Sequence, residues 1–189
     1  MTKDEISIFI NDRAAIYPGD AEFMYDTISK LPDVGNLLEI GTGYGHSAVF
    51  FSQLKPGWTI YTVDGYGEYG TVPQFFKHKE FSAQGFIDTK SYLNSRGLLN
   101  IVQIVGNSNT LEWNYPVDVV FLDGDHTLHG LTDDFEHYSP FVKVIFIHDY
   151  DFKGMEGNEV MEFLDTIKDD WKIEGFCHTA KVTRKDKNG

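Results

Sequence analysis

Leu38-Glu39-Ile40-Gly41-Thr42-Gly43-Tyr44-Gly45-His46-Ser47 decides how this chain is read. Val34 to Ile40 predicts a short strand, apart from the turn-like Gly35-Asn36. Glycine then stands at every second position, and Ser47 to Leu54 resumes as an apolar, helix-compatible run. A strand that breaks into a Gly-rich turn and opens a helix is a cofactor-binding arrangement. Glycine lets the backbone turn tightly and lets a ligand touch the main chain. The helix start offers unpaired N–H groups and a positive dipole end. The dinucleotide fingerprint wants Gly-x-Gly-x-x-Gly, and its third glycine would fall on His46. The spacing here is instead Glu-x-Gly-x-Gly-x-Gly, from Glu39 to Gly45.

Working outward, Pro18-Gly19-Asp20 is a helix start signal, and Phe23, Met24, Ile28 and Leu31 follow at helical spacing. Residues 1–17 read as a preceding helix or a lid, two readings the sequence leaves open. Downstream, Trp58 to Asp64 is a β-rich run that ends in an acid 19 residues after Gly45, with Gly65 beside it. An acid at the tip of a second strand can accept two hydrogen bonds from ribose hydroxyls. Gly65 to Phe81 is a long loop rich in glycine and aromatics, the size of a functional loop. Phe86 to Leu99 fits a helix, Ile101 to Val105 a third strand, and Gly106-Asn107-Ser108 its end. Val117 to Asp123 predicts a fourth strand running into Gly124-Asp125-His126, then a helix from Leu128 to Tyr138. Val142 to Ile147 is a fifth strand ending in His148-Asp149-Tyr150-Asp151, and Asn158 to Trp171 reads as a helix. Lys172 to Phe176 and Ala180 to Thr183 then form a closing antiparallel pair.

Strands alternating with helices imply a mainly parallel sheet covered on both faces. Ligands of such sheets sit beyond the carboxyl ends of the strands. Gly41 to Gly45, Asp64, Asn107, Asp123 to His126 and His148 to Asp151 all fall at those ends. That convergence says more than any single motif.

Composition sets the outer bounds. At 189 residues the chain is read as one domain, residues 1–189. Hydrophobic residues at 41% and aromatics at 15% exclude a disordered chain. There is no apolar run long enough for a membrane span, and no leader-like start is seen at Met1 to Glu5. A formal net charge of -13 opposes nucleic-acid binding and favours a small-molecule substrate. The basic stretch Lys181 to Lys187 reads as a solvated end. The single cysteine, Cys177, reads as a packed thiol in a reducing, cytoplasmic compartment. A homo-oligomer is compatible with all of this.

The Glu39-to-Gly45 spacing resembles motif I of the class I S-adenosylmethionine (SAM)-dependent methyltransferases. Phe121-Leu122-Asp123-Gly124-Asp125-His126 and Phe146-Ile147-His148-Asp149-Tyr150 resemble a small-molecule O-methyltransferase subgroup. It includes the macrocin-type and cephalosporin-hydroxylase-like proteins and is similar to the catechol O-methyltransferases. The resemblance runs from about Ala21 to the closing strands. It implies a Rossmann-like three-layer sandwich whose seven-stranded, mostly parallel sheet ends in an antiparallel strand.

The resemblance also implies roles. Glu39, Gly41, Gly43, Gly45, Ser47, Asp64, Gly65, Asn107, Ser108 and Asp123 would hold SAM, with Glu39 near its methionine part and Asn107 near its adenine. The family carries Asp where Asn107 stands. In the relatives, acids bind a divalent cation such as magnesium, which takes oxygen ligands and acidifies a substrate hydroxyl. Asp123 and Asp149 match the first two ligands. The third falls on Tyr150, a departure, and Asp151 or Asp125 would substitute. His126 matches the position of the catechol enzymes' lysine base, and imidazole suits that task near neutral pH. Asp123, His126 and Asp149 are thus the expected catalytic group. Asp125 either orients His126 or caps the next helix, and His148 reads as a packed strand residue. His129 and His137 read as surface groups. A nicotinamide-dependent oxidoreductase and a non-catalytic SAM-binding protein are the alternatives.

Overall fold

In the computed structural model the described residues are Glu5, 16–65, 83–151 and 159–185. The expected N-terminal helix or lid and the aromatic loop lie almost wholly outside them. Seven strands form one sheet: β1 Gly35–Ile40, β2 Trp58–Asp64, β3 Ile101–Val105, β4 Val119–Leu122, β5 Val144–Ile147, β6 Trp171–Phe176 and β7 Thr179–Arg184. α-Helices accompany them, namely α1 Pro18–Ile28, α2 His46–Leu54, α3 Ala83–Ser95, α4 Leu128–Tyr138 and α5 Val160–Ile167, with a 3-10 turn at Ser139–Phe141. The strand order is β3-β2-β1-β4-β5-β7-β6. β1 to β5 run parallel, and β7 is antiparallel to both β5 and β6. This is the expected sheet.

Alternation along the strands builds a core on each face. Leu37, Val119, Phe121 and Phe146 pack with Met24, Ile28, Val49 and Phe51 of α1 and α2. Leu38, Val120, Leu122, Ile145 and Ile147 pack with Leu131, Phe135, Phe163 and Leu164 of α4 and α5. The central strands are apolar at successive positions because both faces are covered. Strand order reverses between β1 and β4, and sheets of this kind hold ligands beyond the carboxyl ends of the strands at such a switch point.

Three expectations need correction at the far edge of the sheet. Trp171 opens β6 instead of closing the preceding helix, which stops at Ile167. Its indole packs on Phe135 and under the Arg184 guanidinium, a strand-edge setting that rewards an aromatic. Lys181 is not in a solvated end: it sits in β7, 2.7 Å from Glu174 Oε2. Cys177 is exposed, not packed, because it occupies the two-residue turn between β6 and β7 with φ 51°. Among the described residues no helix is long and apolar enough to cross a membrane.

Candidate active site

Three glycines with positive φ carry the turn from β1 into α2: Gly41 at 96°, Gly43 at 46° and Gly45 at 78°. They are glycine for different reasons. A Cβ on Gly41 would lie 2.1 Å from the Asp123 carbonyl oxygen, just past the paired ends of β1 and β4. On Gly45 it would meet Leu93 and Thr89 of α3. On Gly43 it would meet nothing within 4 Å among the described residues. Its amide donates to Asp64 Oδ2 at 3.0 Å, and its carbonyl accepts from the Thr89 hydroxyl at 2.7 Å. The turn is thereby fixed to β2 and α3 while one bare backbone edge faces outward. Backbone without a Cβ, next to an acid at a strand tip, could hold the amino-acid and ribose parts of SAM.

Glu39 is fully buried beneath the turn, and Thr62 Oγ1 donates to its Oε2 at 2.5 Å. Among the described residues its Oε1 has no hydrogen-bond partner. Burial pushes its carboxyl up to about 8; hydrogen bonds from Ser47 and Thr62 oppose this, and the charges of Asp123 and Asp64 add to it. Ser47, buried in the first turn of α2, shares that inner position. Glu39 and Ser47 brace the turn from below.

Asp64 and Gly65 sit at the tip of β2, and Asp64 O accepts from Gly106 N at 3.1 Å. That bond brings the end of β3 alongside. Asn107 Oδ1 accepts from Asn109 N at 2.9 Å, so its side chain shapes its own turn. Ser108 O accepts from Tyr138 Oη at 2.7 Å. Burial raises Asp134 to about 7, a hydrogen bond with Ser108 opposes this, and the charges of Asp125 and Asp133 add to it. His137 Nε2 lies 3.0 Å from Leu111 O, so His137 is a half-buried link to this loop and not a surface group. His129 is exposed as expected.

Asp123, His126, His148 and Asp149 converge beyond β4 and β5. His148 Nδ1 lies 2.9 Å from Asp123 Oδ1 and 3.4 Å from Asp149 Oδ1. His126 Nε2 lies 3.7 Å from Asp123 Oδ1, and its Nδ1 lies 3.6 Å from Asp149 Oδ2. Both imidazoles are buried and both carboxylates half-buried. Burial disfavours a charged His148, but the charge of Asp123, their hydrogen bond, and the charges of Asp149 and Asp20 outweigh it and lift the imidazole to about 9. Asp149 has φ 56°, an uncommon backbone that functional sites often hold. Asp125 does not cap the next helix: Thr127 does, its Oγ1 accepting from Gly130 N at 3.1 Å, and Asp125 Oδ1 accepts from Thr127 N at 3.0 Å just upstream. The His126 carbonyl accepts from Glu159 N at 2.8 Å, which ties this loop to the start of α5.

The family model described as "Methyltransferase domain" matches residues 38–150, from the heart of β1 to the end of this cluster. The chain belongs to the methyltransferase domain family. Solved structures agree in fold. The O-methyltransferase from Bacillus cereus, in complex with S-adenosylhomocysteine (SAH), is 16% identical, with TM-score 0.66 over 97% of this chain and 90% of that one. The O-methyltransferase TomG from Streptomyces achromogenes, involved in tomaymycin synthesis and bound to SAM, is 15% identical, with TM-score 0.64 over 97% and 89%. The SAH-bound methyltransferase PaMTH1 from Podospora anserina is 14% identical, with TM-score 0.64 over 97% and 88%. No protein of curated function matches by sequence. Family and fold support the class I SAM-dependent methyltransferase expectation.

In this methyltransferase the residues able to hold a metal form a group the sequence reading only partly named. Asp123, His148 and Asp149 each offer a ligand atom within 4.8 Å of the others. Asp151, expected as a ligand, is exposed and is not a member of that group. Tyr150 turns away: its ring lies where a Cβ on Gly175 of β6 would stand, and its amide donates to His178 O at 2.8 Å. His148 was the residue to find. The signal was its place directly before Asp149 at a strand's carboxyl end, masked by the apolar run Val144 to Ile147 that made it look like core.

Proposed function

We propose that this methyltransferase methylates a hydroxyl oxygen of a small molecule, with His126 as general base and a divalent cation held by Asp123, Asp149 and His148. The observation that carries the reading is the position of His126. Its imidazole is buried between two carboxylates, beyond the carboxyl end of β4 and next to the switch point of the sheet. Asp64, Gly65 and the open edge at Gly43 would hold SAM, with Gly41 and Gly45 shaping the turn and Asn107 and Ser108 bordering the adenine side.

Bound SAM supplies an electrophilic methyl on a sulfonium, and a bound cation supplies a lowered hydroxyl pKa. The chain's own work is alignment and proton removal. Asp149, 3.6 Å from Nδ1, orients the His126 imidazole with its proton on that side and leaves Nε2 as the lone-pair nitrogen. That nitrogen takes the hydroxyl proton as the oxygen–carbon bond forms and the sulfur–carbon bond breaks. The charge of -13 supports a small-molecule acceptor over nucleic acid, and one exposed, unpaired cysteine supports a reducing, cytoplasmic setting.

Calorimetric titration with SAH, followed by SAH release from SAM over a panel of catechols, phenols and sugar hydroxyls, tests the reading. Binding together with acceptor-dependent, chelator-sensitive release is expected. Binding without release for any hydroxylated acceptor would defeat oxygen as the target. No binding would defeat the whole proposal.

A further inference from the structure

Two carboxylates and an imidazole form the metal-capable group, so its donors are mixed oxygen and nitrogen. His148 Nδ1 stands 2.9 and 3.4 Å from its two carboxylate neighbours. Adjacent ligands about 2.1 Å from a six-coordinate ion are about 3.0 Å apart. The atoms therefore already stand near ligand spacing. A second observation points to the same place. His126 is 8% exposed, and its Nε2, 3.7 Å from Asp123 Oδ1, has no hydrogen-bond partner among the described residues.

The backbone explains how neighbours 148 and 149 reach one point. Successive residues of an extended strand face opposite sides of the sheet. The left-handed φ of 56° at Asp149 breaks that alternation just past β5. His148 itself is held firmly: its amide donates to Leu122 O at 3.0 Å, and its ring packs 5.8 Å from that of Phe121. The imidazole is a fixed part of the site.

We infer that this site selects a transition-metal ion of the iron, cobalt or zinc kind over magnesium, with His148 as the ligand that sets the preference. The inference rests on the metal-assisted reading above. Magnesium demands near-ideal octahedral oxygen coordination and gives up its waters reluctantly, whereas imidazole suits zinc, iron and nickel. An oxygen side chain at 148 would leave an all-carboxylate set fit for magnesium. The nitrogen there shifts the site toward borderline ions.

Transition ions exceed magnesium in affinity at most nitrogen–oxygen sites, so the decisive quantity is how the ratio changes when His148 is replaced. The full chain and a His148→Glu variant are titrated calorimetrically with cobalt, zinc and magnesium. SAH binding serves as the check on folding. Wild type is expected to bind cobalt and zinc at least 100-fold more tightly than magnesium, with the ratio falling at least tenfold in the variant. Manganese-loaded wild type should show a directly bound nitrogen in its electron spin-echo spectrum. That signal decides the matter from wild type alone if the variant does not fold.

An unchanged ratio in a folded variant, no nitrogen signal, or a wild-type preference for magnesium overturns the inference and leaves only metal assistance through Asp123 and Asp149 standing. A wild type that binds SAH but none of the ions overturns both.

Discussion

The amide of Gly43 donates to Asp64 Oδ2 at 3.0 Å, so the glycine turn and the tip of β2 form one unit. Asp64→Ala removes both this anchor and the expected ribose acceptor. It should weaken SAH binding by roughly 10- to 100-fold, the scale of one or two charge-assisted hydrogen bonds. Asp64→Asn keeps an acceptor for Gly43 and should fall between. Calorimetry on both variants checks this, and an unchanged affinity in Asp64→Ala would remove Asp64 from the site.

The glycines of the turn should separate stability from binding. Gly41→Ala forces a Cβ to 2.1 Å from the Asp123 carbonyl oxygen at φ 96°. It should cost about 2 kcal/mol or more of stability. Gly43→Ala adds a methyl that meets none of the described residues within 4 Å and bears a left-handed penalty of about 1–2 kcal/mol. Its methyl would stand on the exposed backbone edge, so it should lose SAH affinity out of proportion to stability. Urea unfolding beside SAH titration distinguishes the two. Equal effects of Gly43→Ala on both would contradict an edge used by the cofactor.

Two buried acids set a pH dependence with an unusual sign. Glu39 is raised from 4.5 to about 8 and Asp134 from 3.8 to about 7. A carboxyl whose folded value lies above its unfolded one binds more protons when folded. Its contribution is full below the unfolded value and is lost as pH climbs through the folded one. Between about pH 4 and 8 these groups therefore lower stability as pH rises. Asp134→Asn should lose this share, gaining roughly 1–3 kcal/mol on wild type at pH 8 relative to pH 4.5. Urea midpoints at the two pH values measure it, and a variant effect identical at both would show that Asp134 does not titrate there.

What the sequence revealed and what it hid follow from the range of the forces involved. The glycine turn was legible because a positive φ narrows the choice of residue, and all three predicted glycines have one. The mainly parallel sheet followed from the alternation of strands with helices. The burial of Glu39 was not legible, since Thr62, whose hydroxyl donates to it, lies 23 residues away on β2 and leaves no local trace. His148 was hidden for the same reason: its partner Asp123 lies 25 residues away on another strand. Asp149, Asp151 and Cys177 take left-handed backbones without being glycine, which no local rule announces.

Tyr150 shows what replaced a ligand position. A Cβ on Gly175 would come within 2.2 Å of its ring, so the tyrosine and the bare glycine fit each other. Gly175→Ala alone should cost about 1–2 kcal/mol through overpacking. In a Tyr150→Ala background the added methyl should cost much less, a coupling of about 1 kcal/mol in a double-mutant cycle. Additive losses would mean the ring is free to move aside.

His126 carries the chemical step in the proposed reaction, and its removal has a distinctive signature. His126→Gln keeps a polar side chain of similar reach but cannot take a proton. General-base catalysis is worth about 100- to 10,000-fold, so kcat should fall by that order. SAH affinity should not change, since His126 lies beyond β4, in the acceptor cluster with Asp123 and Asp149 and not in the glycine turn. The residual rate should then rise about tenfold per pH unit, because the acceptor hydroxyl must lose its proton unaided. A residue that only shapes the pocket would raise KM and leave the pH profile as in wild type. That outcome would transfer the base role to another group or to solvent.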